Sequence, residues 1–344
     1  MSGIIRARAP LRLGLAGGGT DVSPFCDEYG GCVLNVTIDR YAFASAEPRD
    51  DGKVVFRASD LNVVDEVEAS GELPLDTGLR LHRGVYNRMV RDYNGGQPLS
   101  LTMTTHVDSP MGSGLGSSSA LVVAMVTLMG EIMRAPLGEY DIAHIALVVE
   151  RRDLNLNGGR QDQYAAAFGG FNFIEFSAQD RVIVNPLRVR EGVCSELEAS
   201  LVLFFTGASR ESAVIIDNQT AAVAAGGAPL EAMHQLKADA IAMKEALLFG
   251  RIGAMAELLE HSWTAKKLTS SAVSNPRINR IYEAAKGHGA IAGKVSGAGG
   301  GGFMMFLVDP VRRPELIEKL RMEEDGYPII CGFSYAGART WRTL

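Results

Sequence analysis

Residues 4–16 alternate apolar side chains with the basic Arg6, Arg8 and Arg12, which predicts a strand ending in the turn Gly17-Gly18-Gly19. Residues 33–46 and 53–57 predict further strands. Residues 60–78 are acidic and irregular and predict a surface excursion. Residues 79–93 have helical spacing, and His82 within them is expected to be a solvated side chain rather than a ligand. Residues 99–103 alternate again and predict a half-buried strand. Residues 120–129 are apolar on every side, the signature of a buried helix. Residues 140–153 predict a helix with Ile142, Ile145, Val148 and Val149 as its apolar face, followed by a polar turn at 154–160. Strands are predicted at 169–176, 181–186, 199–206, 303–308 and 327–334. Helices are predicted at 211–225, 228–249, 252–268, 276–287 and 314–324. Strands at each end of the chain with helices between favour an α+β class over a doubly wound sheet.

The chain has 344 residues, enough for two domains, with a boundary expected near residue 197: 1–196 and 197–344. A net charge of −6 argues against nucleic acid or an acidic membrane as partner. An anionic substrate then needs a locally basic pocket. The four cysteines, Cys26, Cys32, Cys194 and Cys331, lack metal-site spacing and read as reduced, buried thiols. No signal peptide or bilayer-length apolar run is visible, so a cytoplasmic protein is expected. Self-association is left open.

Candidate chemistry centres on Pro110-Met111-Gly112-Ser113-Gly114-Leu115-Gly116-Ser117-Ser118-Ser119-Ala120. A strand runs into it and a helix runs out. Glycines let backbone N–H groups turn inward, and a helix N-terminus adds unpaired N–H groups and partial positive charge. Together they make a phosphate cradle, with serine hydroxyls available to phosphate oxygen or Mg²⁺. A surface turn shares this composition, but a linker would not open directly into a buried helix. The pattern is neither GxGxxG, since Ser117 stands at the third glycine, nor Walker A, for which Gly293-Lys294 is the nearest miss. Asp21, after the first glycine turn, suits sugar hydroxyls or an Asx-turn. Glu150, near a helix C-terminus, is either a surface residue or the ligand of a cation. Residues 297–302, glycine apart from Ala298, suggest a flexible loop closing over a ligand.

Residues 110–120 resemble the second motif of the GHMP kinase family, named for galactokinase, homoserine kinase, mevalonate kinase and phosphomevalonate kinase. Residues 8–21 resemble its first motif and residues 294–303 its third, so the resemblance spans most of the chain in family order. It implies an N-terminal domain like ribosomal protein S5 domain 2, a ferredoxin-like C-terminal domain, and a site between them. In galactokinase-like members the first motif carries a catalytic arginine and a substrate aspartate, by position Arg12 and Asp21. That motif has an acidic residue and a histidine where this chain has Gly18 and Gly19, so those contacts do not carry over. The triple-glycine form is similar to the branch acting on heptose 7-phosphate and fucose.

The resemblance further implies ATP-dependent phosphorylation of a sugar at its anomeric carbon, in the heptose case toward nucleotide-activated heptose. Pro110 and Gly112–Ser119 (Gly112, Ser113, Gly114, Leu115, Gly116, Ser117, Ser118, Ser119) would hold the ATP phosphates. Ser118 and Glu150 would hold Mg²⁺. Asp162, after the Gly158-Gly159 turn, would orient or deprotonate the hydroxyl, and Arg12 would stabilise the transferring phosphoryl group. Gly18, Gly19, Thr20, Asp21, Gly297 and Gly299 are expected at the substrate. A sugar phosphate also needs cations. The candidates are Arg210, Lys266 and Lys267, which otherwise read as helix-capping or solvated side chains. A silent sensor and a decarboxylase are the other classes weighed. The first is disfavoured by a complete set of candidate roles and the second by the sugar-type first motif.

Overall fold

In the computed structural model, which describes residues 3–207 and 212–343, the chain begins with strand β1, Ile5–Ala16. Its first half has one buried face, with Ala7 and Ala9 inside and Arg6 outside. Its second half is buried on both faces, Arg12 included. After β1 come α1 (Phe25–Tyr29), β2 (Gly31–Pro48), β3 (Lys53–Ala58), β4 (Val63–Glu68), α2 (Arg80–Tyr93), β5 (Leu101–Val107) and α3 (Ser117–Met133). Then follow α4 (Glu139–Val148), a π-helical turn (Val149–Asp153), α5 (Gln161–Phe168), β6 (Phe171–Ser177), β7 (Arg181–Pro186) and α6 (Glu191–Ser200). The remainder is β8 (Leu201–Phe205), α7 (Ser212–Ala224), α8 (Ala228–Phe249), α9 (Ile252–Thr269), α10 (Pro276–Gly287), β9 (Ala290–Val295), β10 (Phe303–Val308), α11 (Arg313–Glu323), β11 (Tyr327–Ile329) and β12 (Arg339–Arg342).

Two sheets result. The first runs β12-β1-β2-β5-β3-β4, and β6 pairs both β2 and β7. The long β2 serves two neighbours on one side: residues 42–48 pair with β5 and residues 31–36 with β6. The chain's last strand returns to β1, pairing Arg342 with Ile5. The second sheet is antiparallel, β11-β8-β10-β9. In β8 and β10 successive residues face opposite ways. Val202, Phe204, Met304 and Phe306 join Trp263, Ile281 and Leu316 in one cluster. Leu203, Phe205, Phe303 and Met305 join the main core with Leu11, Leu13 and Met243. Burial on both faces explains why these strands read as unbroken apolar runs. Helix α3 packs on β1, β2, α2, α4 and α5, which requires an apolar surface all round. All four cysteines are free and buried, and among the described residues no helix is long and apolar enough to cross a membrane.

Four expectations need correction. Residues 60–78 contain strand β4, antiparallel to β3. Its Asp65 points inward to a bidentate pair with Arg83 (2.8 and 2.6 Å), an inward charge that suits an edge strand and disguises it in sequence. His82 is buried, not solvated. It lies on the same stripe as Val85, Tyr86 and Met89, packs on Phe56, and its Nε2 sits 2.8 Å from Thr105 Oγ1. Burial pushes its pKa down to about 4. The helix expected over 140–153 stays α-helical only to Val148. The last predicted strand is only Tyr327–Ile329, and beyond it Phe333 makes a single bridge to Ile38.

Candidate active site

A cavity of about 630 Å³ lies where β1, the loop before α3, α5, α9 and β9 meet. In the loop, Gly112, Gly114 and Gly116 have φ of 72, 82 and 74°, alternating with ordinary residues. This alternation curls the backbone into an anion-binding concavity, completed by the first turn of α3. Gly112, Ser113, Gly114, Gly116, Ser117, Ser118 and Ser119 line the cavity. The hydroxyls of Ser113 and Ser117 are buried and bonded within the loop, Ser113 to Ser109 (2.9 Å) and Ser117 (3.2 Å). Leu115 is buried, and its carbonyl accepts the Arg12 N–H at 2.9 Å. Pro110 is exposed and its carbonyl closes the turn onto Ser113 N–H.

Two glycines of 297–302, Gly297 and Gly302, pack directly against this loop. A Cβ on Gly114 would stand 2.3 Å from the Ser296 carbonyl, and one on Gly302 2.3 Å from that of Ser113. Ser296 Oγ donates to Gly114 O at 2.8 Å, and Phe303 N–H to Ser113 O at 2.8 Å. The run therefore buttresses the cradle. Gly297 lines the cavity, while Gly299 packs on Val273.

Arg12 and Asp162 face each other across 150 positions. Arg12 Nε and Nη2 both approach Asp162 Oδ1, at 2.7 and 2.6 Å, and Nη1 donates to the Gly114 carbonyl at 2.6 Å. Oδ2 has no hydrogen-bond partner among the described residues. One carboxylate oxygen is thus held and the other is open to the cavity.

Asp21 is almost wholly buried at the N-terminus of α5. Its Oδ2 accepts the N–H groups of Arg160 (2.9 Å) and Gln161 (3.1 Å), and its Oδ1 those of Gly19 (3.1 Å) and the Gln161 amide (3.2 Å). A carboxylate there satisfies orphan donors and the helix dipole. It ties the first glycine turn to the helix that carries Asp162. Gly159 is needed for this approach, because a Cβ would lie 2.0 Å from Asp21 Oδ2. Gly18 and Gly19 line the cavity with Asp21. Thr20 does not; it is buried and its Oγ1 bonds the backbone of Gly17 and Cys32.

Glu150 is buried on the π-helical turn, held by Ser119 Oγ (3.1 Å) and the Gln163 amide. Burial pushes its pKa up, so a cation there would favour the charged form. Ser118 lines the same cavity. One buried carboxylate and one hydroxyl are hard oxygen donors that fit Mg²⁺, which takes few protein ligands and completes its shell with water and phosphate. Among the described residues there is no cluster of three His, Cys, Asp or Glu side chains that would form a self-contained metal site.

Of the candidate cations, Arg210 lies outside the described residues. Lys267 is exposed, its ammonium 5.7 Å from the Trp263 ring. Lys266 is buried and donates to the Gly18 carbonyl at 2.8 Å. The sequence reading missed Lys294 as a site residue. It lines the cavity from β9 and donates to Leu15 O at 3.4 Å. Its signal was a lysine inside the otherwise apolar 290–295, directly before a glycine-rich run.

Known proteins are similar to this chain over most of its length. The family model "GHMP kinases N terminal domain" matches residues 80–170, and "GHMP kinases C terminal" matches residues 242–323. The chain is 48% identical over 338 residues to D-glycero-alpha-D-manno-heptose 7-phosphate kinase of Campylobacter jejuni, covering 98% of this chain and 99% of that one. It superposes with a TM-score of 0.84 on the crystal structure of a D-glycero-D-manno-heptose 1-phosphate kinase from Bacteroides thetaiotaomicron, at 42% identity and 99% coverage of both. The L-fucokinase/L-fucose-1-P guanylyltransferase of Bacteroides fragilis is 23% identical, and the match covers 94% of this chain but 37% of that protein.

Proposed function

The chain belongs to the GHMP kinase family, and from that premise we propose that it transfers the γ-phosphoryl group of ATP to the anomeric hydroxyl of D-glycero-D-manno-heptose 7-phosphate, giving the 1,7-bisphosphate. The carrying observation is Asp162, with one oxygen held by Arg12 and the other open beside the glycine cradle. The cradle's N–H groups bind the ATP phosphates. Asp162 Oδ2 takes the proton of the anomeric hydroxyl as its oxygen attacks the γ-phosphorus and ADP leaves. Arg12, already adjacent, stabilises charge on the transferring group. Asp21 holds α5 in register and presents the first glycine turn to the sugar. The 1,7-bisphosphate is a precursor for nucleotide-activated heptose, and the cytoplasm, which supplies ATP, is the compartment that suits the reaction. Challenge with ATP and a panel of free and phosphorylated sugars tests the reading. Heptose 7-phosphate should give the highest kcat/KM, and preference for fucose or another unphosphorylated sugar would overturn it.

Bound Mg²⁺, held by Ser118 and Glu150, would neutralise charge on the β- and γ-phosphates. Ser118→Ala and Glu150→Gln are each expected to raise the Mg²⁺ concentration for half-maximal activity by about tenfold or more. Because both would serve one ion, their double variant should show less than the product of the two effects. Unchanged Mg²⁺ titrations in both single variants would exclude the pair.

A further inference from the structure

Two ammonium groups enter the active-site cavity from the second half of the chain, and among the described residues neither meets a carboxylate within ion-pair distance. Lys266, on α9, is only 8% exposed. It donates to the carbonyl of Gly18, and Lys294, on β9, to that of Leu15. Leu15 is the last residue but one of β1, and Gly18 lies in the turn that follows it. An ammonium carries three N–H donors, and each of these uses one on the protein. Arg12 is a third cation nearby and adds to the repulsion on Lys294. Like charges gathered in a partly dry cavity are costly unless an anion joins them. Burial pushes Lys266 down to about 8. Burial, with repulsion from Lys266 and Arg12, pushes Lys294 down to about 7.

We propose that Lys266 and Lys294 together seat the phosphate that the acceptor sugar already carries, a phosphomonoester dianion, and so select a phosphorylated sugar over a free one. The inference rests on the kinase reading above and adds Lys294 to it. ATP brings phosphates of the same charge, but the lysines bond Leu15 and Gly18, at and just past the end of β1, beside the glycine turn that the kinase reading gives to the sugar, and make no hydrogen bond to the 110–119 loop.

The test compares Lys266→Met and Lys294→Met with the parent, folding being checked by circular dichroism. Affinities for heptose 7-phosphate and for ATP are measured separately by calorimetry, and kcat/KM is measured for the phosphorylated and free heptose. Each variant should weaken heptose 7-phosphate binding by about tenfold or more, change ATP binding by less than about threefold, and cut the preference for phosphorylated over free sugar by about tenfold. Lys294→Arg should recover part of the loss. In the parent, sugar-phosphate affinity should fall as pH rises through about 7 to 8, where the ammoniums lose their protons amid Arg12, Asp21 and Asp162. The slope should flatten in the double variant. Unchanged sugar-phosphate affinity in Lys294→Met overturns the seat, as does a loss confined to ATP affinity or to kcat. If the parent prefers another sugar phosphate and the variants still lose that preference, the seat stands and the heptose assignment falls.

Discussion

Asp162→Asn is expected to lower kcat by about 10²–10⁴-fold while ATP affinity stays within about threefold of the parent. The amide keeps the size of the side chain and an oxygen for Arg12, but it cannot accept the hydroxyl proton. The cradle is built from residues 110–119 and buttressed by 296–303, and the Asp162 side chain makes no direct hydrogen bond to either, being linked to them by hydrogen bonds only through Arg12. Binding and chemistry should therefore separate. The measurement is kcat together with nucleotide affinity, with Tm as a control, because Arg12 is buried and loses its ionic partner. A kcat within tenfold of the parent would remove Asp162 from the reaction.

Arg12→Met should cost about 10²–10³-fold in kcat, the range seen when a preorganised donor to developing charge is removed. Arg12 makes three contacts at once, two to Asp162 Oδ1 and one to Gly114 O. Lysine has a point charge rather than a planar fork, so Arg12→Lys should restore less than about tenfold. The two residues act as a unit, and the Arg12→Met/Asp162→Asn double variant should be far less impaired than the product of the single losses. Full multiplicativity, measured in kcat, would show that the pair seen in the structure is not a functional one.

Much of this was legible in the sequence because it is local. The strand of β1, the glycine cradle and the apolar α3 each announce themselves within a dozen residues, by period or by composition. What was not legible depends on partners far along the chain. Asp21 caps a helix whose N–H groups lie 139 and 140 positions away, so its helix-anchoring role has no local signature. Lys294 meets Leu15 across 279 positions, and only the fold shows that it shares a cavity with Lys266. The glycine density of 297–302 stands out in sequence, but the close backbone packing of Gly302 on Ser113 and of Gly297 on Gly114 does not. His82 was misjudged although its spacing with Val85, Tyr86 and Met89 placed it on the buried stripe; polarity was weighed above periodicity.

The central claim is the chemistry performed on one substrate. Incubating the protein with ATP, Mg²⁺ and D-glycero-D-manno-heptose 7-phosphate, then examining the product by phosphorus and proton NMR, tests it directly. The account predicts a second phosphate coupled to the anomeric proton, formed in step with ADP and about 10²–10⁴-fold more slowly with Asp162→Asn. A second phosphate on any other carbon, or turnover only with a different sugar, would contradict it.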